Sequence, residues 1–393
     1  MTKPYRLVAR ERKLLLDLLA ALVAQKSFEN EVRAIEFCEK FLKKIKVRSQ
    51  KFSCQKDRPN LVWSLGSRST SSGQGGPEIL IAAHADTVPP GENWRSDPFK
   101  LIRKKDFLIG RGVVDNKAPL AGLLVATQIL QKFEKDLAHK ITFAAIADEE
   151  CGNKFGLDFL LAKNVFHKLA GAIVPDSCGQ NREIEIAEKG VLQIRVRAFG
   201  QQGHGSMPAK SKNAIFILKD FLRQIRKLKF ARRTKLLTPA TIAVTSFHAG
   251  AATNIIPGQA TATLDIRFPP SESKKDLLAK IKKLADAESK KWRVPKFQVE
   301  ILQDLPSSET AENSSLVIAT KNAIKKISGQ RPKIIGMPAF TLAGALRSRG
   351  VPTVAFGPGK LEECHRANEK IRAAEVVEFT EILFELLRNL SLK

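Results

Sequence analysis

"ILIAAHADTVPPGENW", residues 79–94, is the stretch on which the fold turns. Residues 79–83 are apolar without interruption, the pattern of a strand covered on both faces. The run stops at His84 and Asp86, and Pro89 and Pro90 follow. A covered strand that delivers an imidazole and a carboxylate at its carboxyl end suits an α/β sheet, where ligands bind beyond the strand ends. Working outward, similar runs recur at "NLVWSL" (60–65), "ITFAAIA" (141–147) and "GAIV" (171–174). Helical patterns lie between them at 119–132 and 156–163, with Pro119 predicted as the first residue of its helix. Strands alternating with helices predict a mainly parallel sheet with flanking helices. "SRSTSSGQGG" (67–76) is a loop by composition.

From residue 190 the grammar changes. "VLQIRVRAF" (191–199) alternates, and "ATATLDIRF" (260–268) puts Ala260, Ala262, Leu264, Ile266 and Phe268 on one face. That is the period of a sheet with one wet side. "AIFILKDFLRQI" and "LLAKIKKLAD" supply two helices, and the order strand, helix, strand, strand, helix, strand is a ferredoxin-like split βαβ. Near Pro306 the first grammar resumes, with a helix around 315–328, the strand "PTVAF" (352–356) and a last helix at 373–390. The predicted division is a first domain over 1–189 and 307–393, interrupted by an inserted α+β domain over 190–306.

A chain of 393 residues suits two domains. No apolar run approaches the roughly 20 residues that span a bilayer, so no membrane partner is expected. The apolar segment at 14–24 contains Asp17 and has helical spacing, and reads as an amphipathic helix rather than a signal peptide. Five scattered cysteines without a C-x-x-C pair point to a reducing, cytoplasmic setting. The formal net charge is +26, and residues 190–306 hold 22 Lys/Arg against 8 Asp/Glu. "RQIRKLKFARRTK" (223–235) and "KKDLLAKIKKLADAESKKWR" (274–293) are predicted as amphipathic helices with a basic outer face. Such a balance raises nucleic acid as a partner. One Tyr and three Trp leave little for base stacking, however, and a solvated basic surface is the simpler reading.

His84 is not alone. Asp148, Glu149 and Glu150 follow "ITFAAIA", Asp176 follows "GAIVP", His365 follows "PTVAFGPG" at a short distance, and Asp115 ends "FLIGRGVVD". Parallel strands bring these ends to one crevice. Two imidazoles and three carboxylates suit Zn²⁺, with Co²⁺ or Mn²⁺ as substitutes. Five protein ligands exceed what one catalytic zinc takes and suit two metals bridged by a carboxylate. Asp86, two residues beyond His84, is placed to hold the other nitrogen of that imidazole.

These residues resemble the co-catalytic zinc amidohydrolases and exopeptidases that include acetylornithine deacetylase, succinyl-diaminopimelate desuccinylase, aminoacylase and carboxypeptidase G. "HADTVPPGENWRSDPF" resembles that family's H-x-D-x-V-P block, "GRGVVDNKAPLAG" its G-R-G-x-x-D-x-K block, and "DEECG" its double glutamate. "TNIIPGQATATLDIR" resembles its substrate-binding stretch, and "ECHRANEKI" its closing H-x-x-N-E. The likeness runs nearly end to end. It implies that His84, Glu150, Asp176 and His365 hold the metals and that Asp115 bridges them. It also implies that Glu149 is the general base and that Asp86 orients His84. By the same likeness His204, in "GQQGHGSMP", reaches the partner subunit's site to stabilise an oxyanion, which makes the inserted domain a dimerisation domain and the enzyme a homodimer. Asn254 and Arg267 resemble substrate-holding residues, Arg267 offering a planar fork to a carboxylate.

Two departures stand out. Asn116-Lys117-Ala118-Pro119 replaces the usual Met-Lys-Gly-Gly, and "IIGMPAFTLAGAL" lacks the Ser/Thr-Asp pair often found there. The expected function is dizinc hydrolysis of the amide in an N-acyl amino acid. A dipeptidase or carboxypeptidase using the same site is the alternative, and the third carboxylate, Asp176, keeps it close. A non-catalytic basic nucleic-acid-binding module is a remote third.

Overall fold

The computed structural model describes residues 6–66 and 77–391, so the loop expected at 67–76 lies outside the described residues. The chain divides into two compact units. The first comprises Met1–Ile186, Thr310–Ile335 and Thr341–Lys393, and the second Ala187–Glu309 and Gly336–Phe340.

The first unit is built on a sheet whose strands run, in order, Ser49–Phe52, Asn60–Leu65, Lys140–Ile146, Glu78–His84, Leu169–Val174, Thr353–Ala355 and Glu183–Glu188. The pairings of Glu78–His84 with both neighbours and of Leu169–Val174 with Thr353–Ala355 are parallel, and the outer pairings are antiparallel. All seven residues of Glu78–His84 are buried, as a central strand with helices on its faces demands. Its register sets His84 opposite Ile146 and Ile81 opposite Ile173. Four parallel strands therefore end at one edge.

The Lys117–Leu130 helix is buried on nearly every side, with Gln128 the exception. A Cβ on Gly122 would stand 2.9 Å from Phe379 Cε1 and 2.9 Å from Thr380 Oγ1, so glycine lets the Ala373–Ser391 helix approach closely. Trp63 ties helix to sheet by donating Nε1–H to Thr127 Oγ1 at 2.8 Å and stacking on Phe143. The Arg12–Val23 helix buries Leu15, Leu18, Leu19, Leu22 and Val23, one stripe at helical spacing. Pro119 is the third residue of its helix, which begins at Lys117. The whole first turn lacks intrahelical acceptors for its N–H groups, so proline is tolerated there beyond the first position.

The second unit is a four-stranded antiparallel sheet in the order Thr241–Ala249, Gln259–Phe268, Gly190–Phe199, Gln298–Leu305. The Ala214–Ile225 and Lys274–Trp292 helices cover one face. Gln259–Phe268 alternates strictly, with Ala260, Ala262, Leu264, Ile266 and Phe268 buried. Asn213 and Ser273 cap the two helices by accepting the N–H of Ile215 and Asp276. The basic run 223–235 is not a helix throughout, because the helix stops at Ile225. Beyond it the only large apolar residues before Leu236 are Leu228 and Phe230, spaced by two, and both pack on the core from irregular backbone. A helical stripe needs a spacing of three or four.

Candidate metal centre

The strand ends of the first unit gather seven predicted residues. His84, the last residue of its strand, is buried and turns Nε2 to Asp115 Oδ1 at 2.8 Å, with Asp176 Oδ1 at 3.7 Å. Its Nδ1 faces Asp86, 3.2 Å from the backbone O and 3.3 Å from Oδ1. The other carboxylate oxygen of Asp115, Oδ2, lies 3.0 Å from His365 Nε2, which is also 3.1 Å from Glu150 Oε1. Asp115 thus gives one oxygen to each imidazole. Glu149 completes the group: His84, Glu149 and Asp176 offer ligand atoms all within 4.8 Å of one another, and so do His84, Asp115 and Glu150. Asp148 turns away with a positive φ of 63°, and its Oδ2 accepts the N–H of Phe155.

Five carboxylates face two imidazoles here, and none of the five forms an ion pair with Lys or Arg among the described residues. The electrostatics register that excess. Burial, followed by the charge of Asp176, pushes Glu149 well above the carboxylate range. Burial likewise raises Asp176, to about 6. Hydrogen bonds to Asp115 and Glu150 raise His365 to about 11. Burial disfavours a charged His84, but Asp115, Asp176 and Asp86 outweigh it and raise that imidazole too. Burial also opposes an ionised Asp115, yet His365 and His84 hold it below the usual range. Dications held by these groups would neutralise the same charge. The donor set of imidazole nitrogen and carboxylate oxygen is that of zinc-type sites, so the residues fit a pair of metal ions.

Several residues that frame this centre carry no periodic signal in the sequence. Glu369, the last residue of H-x-x-N-E, is buried 1% exposed and accepts from Arg111 NH1 at 2.8 Å. It also accepts the backbone N–H of Gly112, Val114 and Asp115, at 2.9, 2.7 and 3.3 Å. One carboxylate thereby shapes the loop that presents Asp115. Gly112 sits at φ +85°, and a Cβ there would stand 2.9 Å from Thr87 Cγ2, so the G-R-G block requires this glycine. Arg111 also donates to Pro90 O at 3.0 Å and lies over the Trp94 ring. Asn116, across a cis peptide bond from Asp115, donates to Pro175 O at 2.8 Å and to Asp176 Oδ1 at 3.2 Å. Asn368 joins the loops by accepting the N–H of Arg95 and donating to Asn93 O. The only hint in the sequence is that these residues sit inside the quoted blocks.

The remaining predicted residues lie in the second unit. His204 is exposed on a two-residue strand opposite Ile255, with Nδ1 2.7 Å from Ser206 Oγ. Asn254 is beside it, its backbone O accepting the N–H of Gly205 at 2.8 Å. Arg267 is bound to Asp265, Nε to Oδ1 at 2.7 Å and NH2 to Oδ2 at 3.2 Å. Gly258 O accepts the N–H of Gly200, which puts the His204–Asn254 pair off the Gln259 end of its strand. Arg267 is opposite Val191 at the other end, eight residues on, or about 26 Å away.

The pattern of peptidase family M20/M25/M40 matches residues 80–389. The chain belongs to that family. As a member it is a metal-dependent hydrolase. It is 28% identical over 352 residues to an uncharacterized metallohydrolase of Methanocaldococcus jannaschii, covering 84% of each chain. It is 29% identical over 324 residues to the succinyl-diaminopimelate desuccinylase of Pelagibacter ubique, covering 80% of this chain and 83% of that one. Among solved structures, aminopeptidase PepT of Bacillus cereus superposes with a TM-score of 0.78 at 22% identity, covering 96% of this chain and 98% of that one. That likeness carries the fold, as predicted from the sequence: a mixed α/β architecture with a mainly parallel central sheet. No helix among the described residues is long and apolar enough to cross a membrane.

Proposed function

We propose that this hydrolase cleaves the amide bond of an N-acyl amino acid, in the manner of the desuccinylases to which it is similar. The observation that carries the reading is Asp115, whose two oxygens face the imidazoles of His84 and His365 from opposite sides. In this reading His84 and Asp176 would hold one metal, Glu150 and His365 the other, and Asp115 would serve both. The donor set suits Zn²⁺, with Co²⁺ or Mn²⁺ as substitutes. When bound, they supply Lewis acidity toward the amide carbonyl and lower the pKa of water.

The chain's own residues do the rest. Asp86 fixes the ring of His84 through Nδ1 and takes the N–H of Glu150 on its other oxygen at 2.9 Å, so it steadies a ligand of each half. Glu149 takes the proton of the attacking water and delivers it to the departing amine. Its carboxylate stands beside His84 and Asp176 yet outside the proposed ligand set, the placement such a shuttle needs. His204 steadies the oxyanion, Asn254 orients the substrate, and Arg267 exchanges Asp265 for the substrate carboxylate. The 190–306 insertion serves as the dimerisation domain and the remainder as the catalytic domain. The strand from Gln259 to Arg267 spans about 26 Å, with His204 and Asn254 off its Gln259 end, and this supports the reading: no small amide reaches both ends, so the two ends serve two sites and a homodimer supplies each. Five free cysteines support a cytoplasmic setting.

The test is amine release from matched panels of N-acetyl and N-succinyl amino acids and of dipeptides. Metal-stripped protein is assayed with and without Zn²⁺, Co²⁺ or Mn²⁺, beside Glu149→Gln. The expected result is metal-dependent cleavage of an acylated amino acid and none by the variant. Preference for dipeptides would replace the deacylase reading by a dipeptidase. Silence on both panels with metal bound would overturn the substrate class.

A further inference from the structure

Cys178 and Cys364 are 186 residues apart in sequence, yet their sulfurs stand 3.3 Å from each other. Backbone pairing brings them together. Gly179 and Lys360 form an antiparallel bridge. The N–H of Gln180 donates to Gly359 O and that of Asn181 to Gly357 O, each at 2.9 Å. The two loops are thus fastened on one side of the thiol pair. Both side chains are half-buried and all five cysteines of the chain are free. Cys38 is buried while Cys54 and Cys151 are exposed, and among the described residues no other two cysteines come within hydrogen-bond distance. Asp176 lies two residues before Cys178, and His365 directly follows Cys364.

We propose that Cys178 and Cys364 are a redox modification site, a dithiol that closes to an intramolecular disulfide when it meets a hydroperoxide. A disulfide is about 2.05 Å long, so the sulfurs need to approach by little more than an ångström, within reach of side-chain torsions on a paired backbone. The chemistry balances in two steps. One thiol is oxidised to a sulfenic acid as the O–O bond of the peroxide breaks, releasing water or an alcohol. The second thiol then attacks that sulfur, the S–S bond forms and a second water leaves. Two electrons pass from the sulfurs to the peroxide, and a dithiol reductant reverses the change by exchange. The bond ties the loop of Asp176 to the loop of His365, each next to a different imidazole-carboxylate half of the centre.

The experiment uses full-length, metal-loaded protein exposed to hydrogen peroxide at graded doses, then quenched with an alkylating reagent and mapped by peptide mass spectrometry. The expected result is a cross-linked peptide joining Cys178 to Cys364, formed at doses that leave Cys38 alkylatable and abolished by dithiothreitol. Cys178→Ser should leave Cys364 trapped as a sulfenic acid by dimedone, with no cross-link to another cysteine. The proposal is overturned if Cys54 and Cys151 oxidise while Cys178 and Cys364 both stay alkylatable, or if the two sulfurs advance separately to sulfinic acids. The readout is covalent and does not depend on which substrate the enzyme cleaves.

Discussion

Carboxylates crowd two places in the first unit, the strand ends around Asp115 and the Ala373–Ser391 helix, where Glu375, Glu378 and Glu381 share a face at a spacing of three. The helix cluster is answered by cations and amides. Arg182 grips Glu378 with two bonds of 2.8 and 2.9 Å, and Glu375 accepts from Gly359 N–H at 3.0 Å. At the strand ends no guanidinium or ammonium among the described residues forms an ion pair with the cluster, and among those residues the only side-chain nitrogen partners are imidazoles and the Asn116 amide. Buried negative charge without a fixed cation costs several kcal/mol per group. A fold tolerates that where an exchangeable cation completes the set. The difference between paired and unpaired acid separates scaffold from site.

The largest expected effect comes from weakening the unpaired cluster at its bridge. Asp115→Asn keeps the shape but removes the charge that faces both imidazoles. Metal analysis after dialysis should find one ion or none per chain where the parent keeps two, and the activity loss should exceed the roughly 10²–10⁴-fold typical of losing a general base such as Glu149. Retention of two ions by the variant would break the assignment of Asp115 as the bridge.

Next comes Glu369, which links the two kinds of acid because it is buried and yet paired, with Arg111 at 2.8 Å. Glu369→Ala strands that guanidinium, and breaking a buried pair costs about 3–5 kcal/mol. Urea unfolding of metal-free protein should show this loss, and a change under about 1 kcal/mol would mean the loop before Asp115 holds itself. Asp86→Asn should be milder. Its carboxylate touches His84 and the Glu150 N–H, and removing such an outer partner typically costs 10–100-fold in metal affinity or activity, which a zinc-chelator competition measures.

How much of this was legible in the sequence follows from the same contrast. His84, Asp176 and the 148–150 acids each follow a run of buried residues, and parallel pairing makes strand ends neighbours, so local pattern implied a shared edge. The alternation of 260–268 likewise displayed the second unit's covered face residue by residue. Glu369 and Arg111 were hidden because their meaning lies in a contact across 258 residues, which no local period records. The small sheet of Ile102–Lys104, Phe107–Ile109 and Lys370–Arg372, which seats Glu369 beside Gly110, has strands too short to alternate visibly. In 226–235 charge was read as a helix face, although the apolar spacing of Leu228 and Phe230 already argued for irregular backbone.

The smallest expected effect belongs to the paired cluster, at the member that pairing leaves out. Burial, and then the charge of Glu378, raises Glu381 to about 6 from 4.5. A raised folded-state pKa means that the folded protein holds the proton more tightly than the unfolded chain. Its stabilising contribution is complete below 4.5 and is lost as pH climbs to about 6, because the unfolded state ionises first. The shift corresponds to about 2 kcal/mol, and solvent screening at a half-buried site reduces this to about 1 kcal/mol. Glu381→Gln should therefore be more stable than the parent by about 1 kcal/mol at pH 7. The two should converge below pH 4.5, and denaturant midpoints measured across that window give the comparison. Glu378→Gln should lower the pKa of Glu381 while leaving metal content unchanged. A gain at pH 7 that persisted at pH 4 would show that charge is not its source, and the helix cluster would then owe nothing to the repulsion that defines the metal centre.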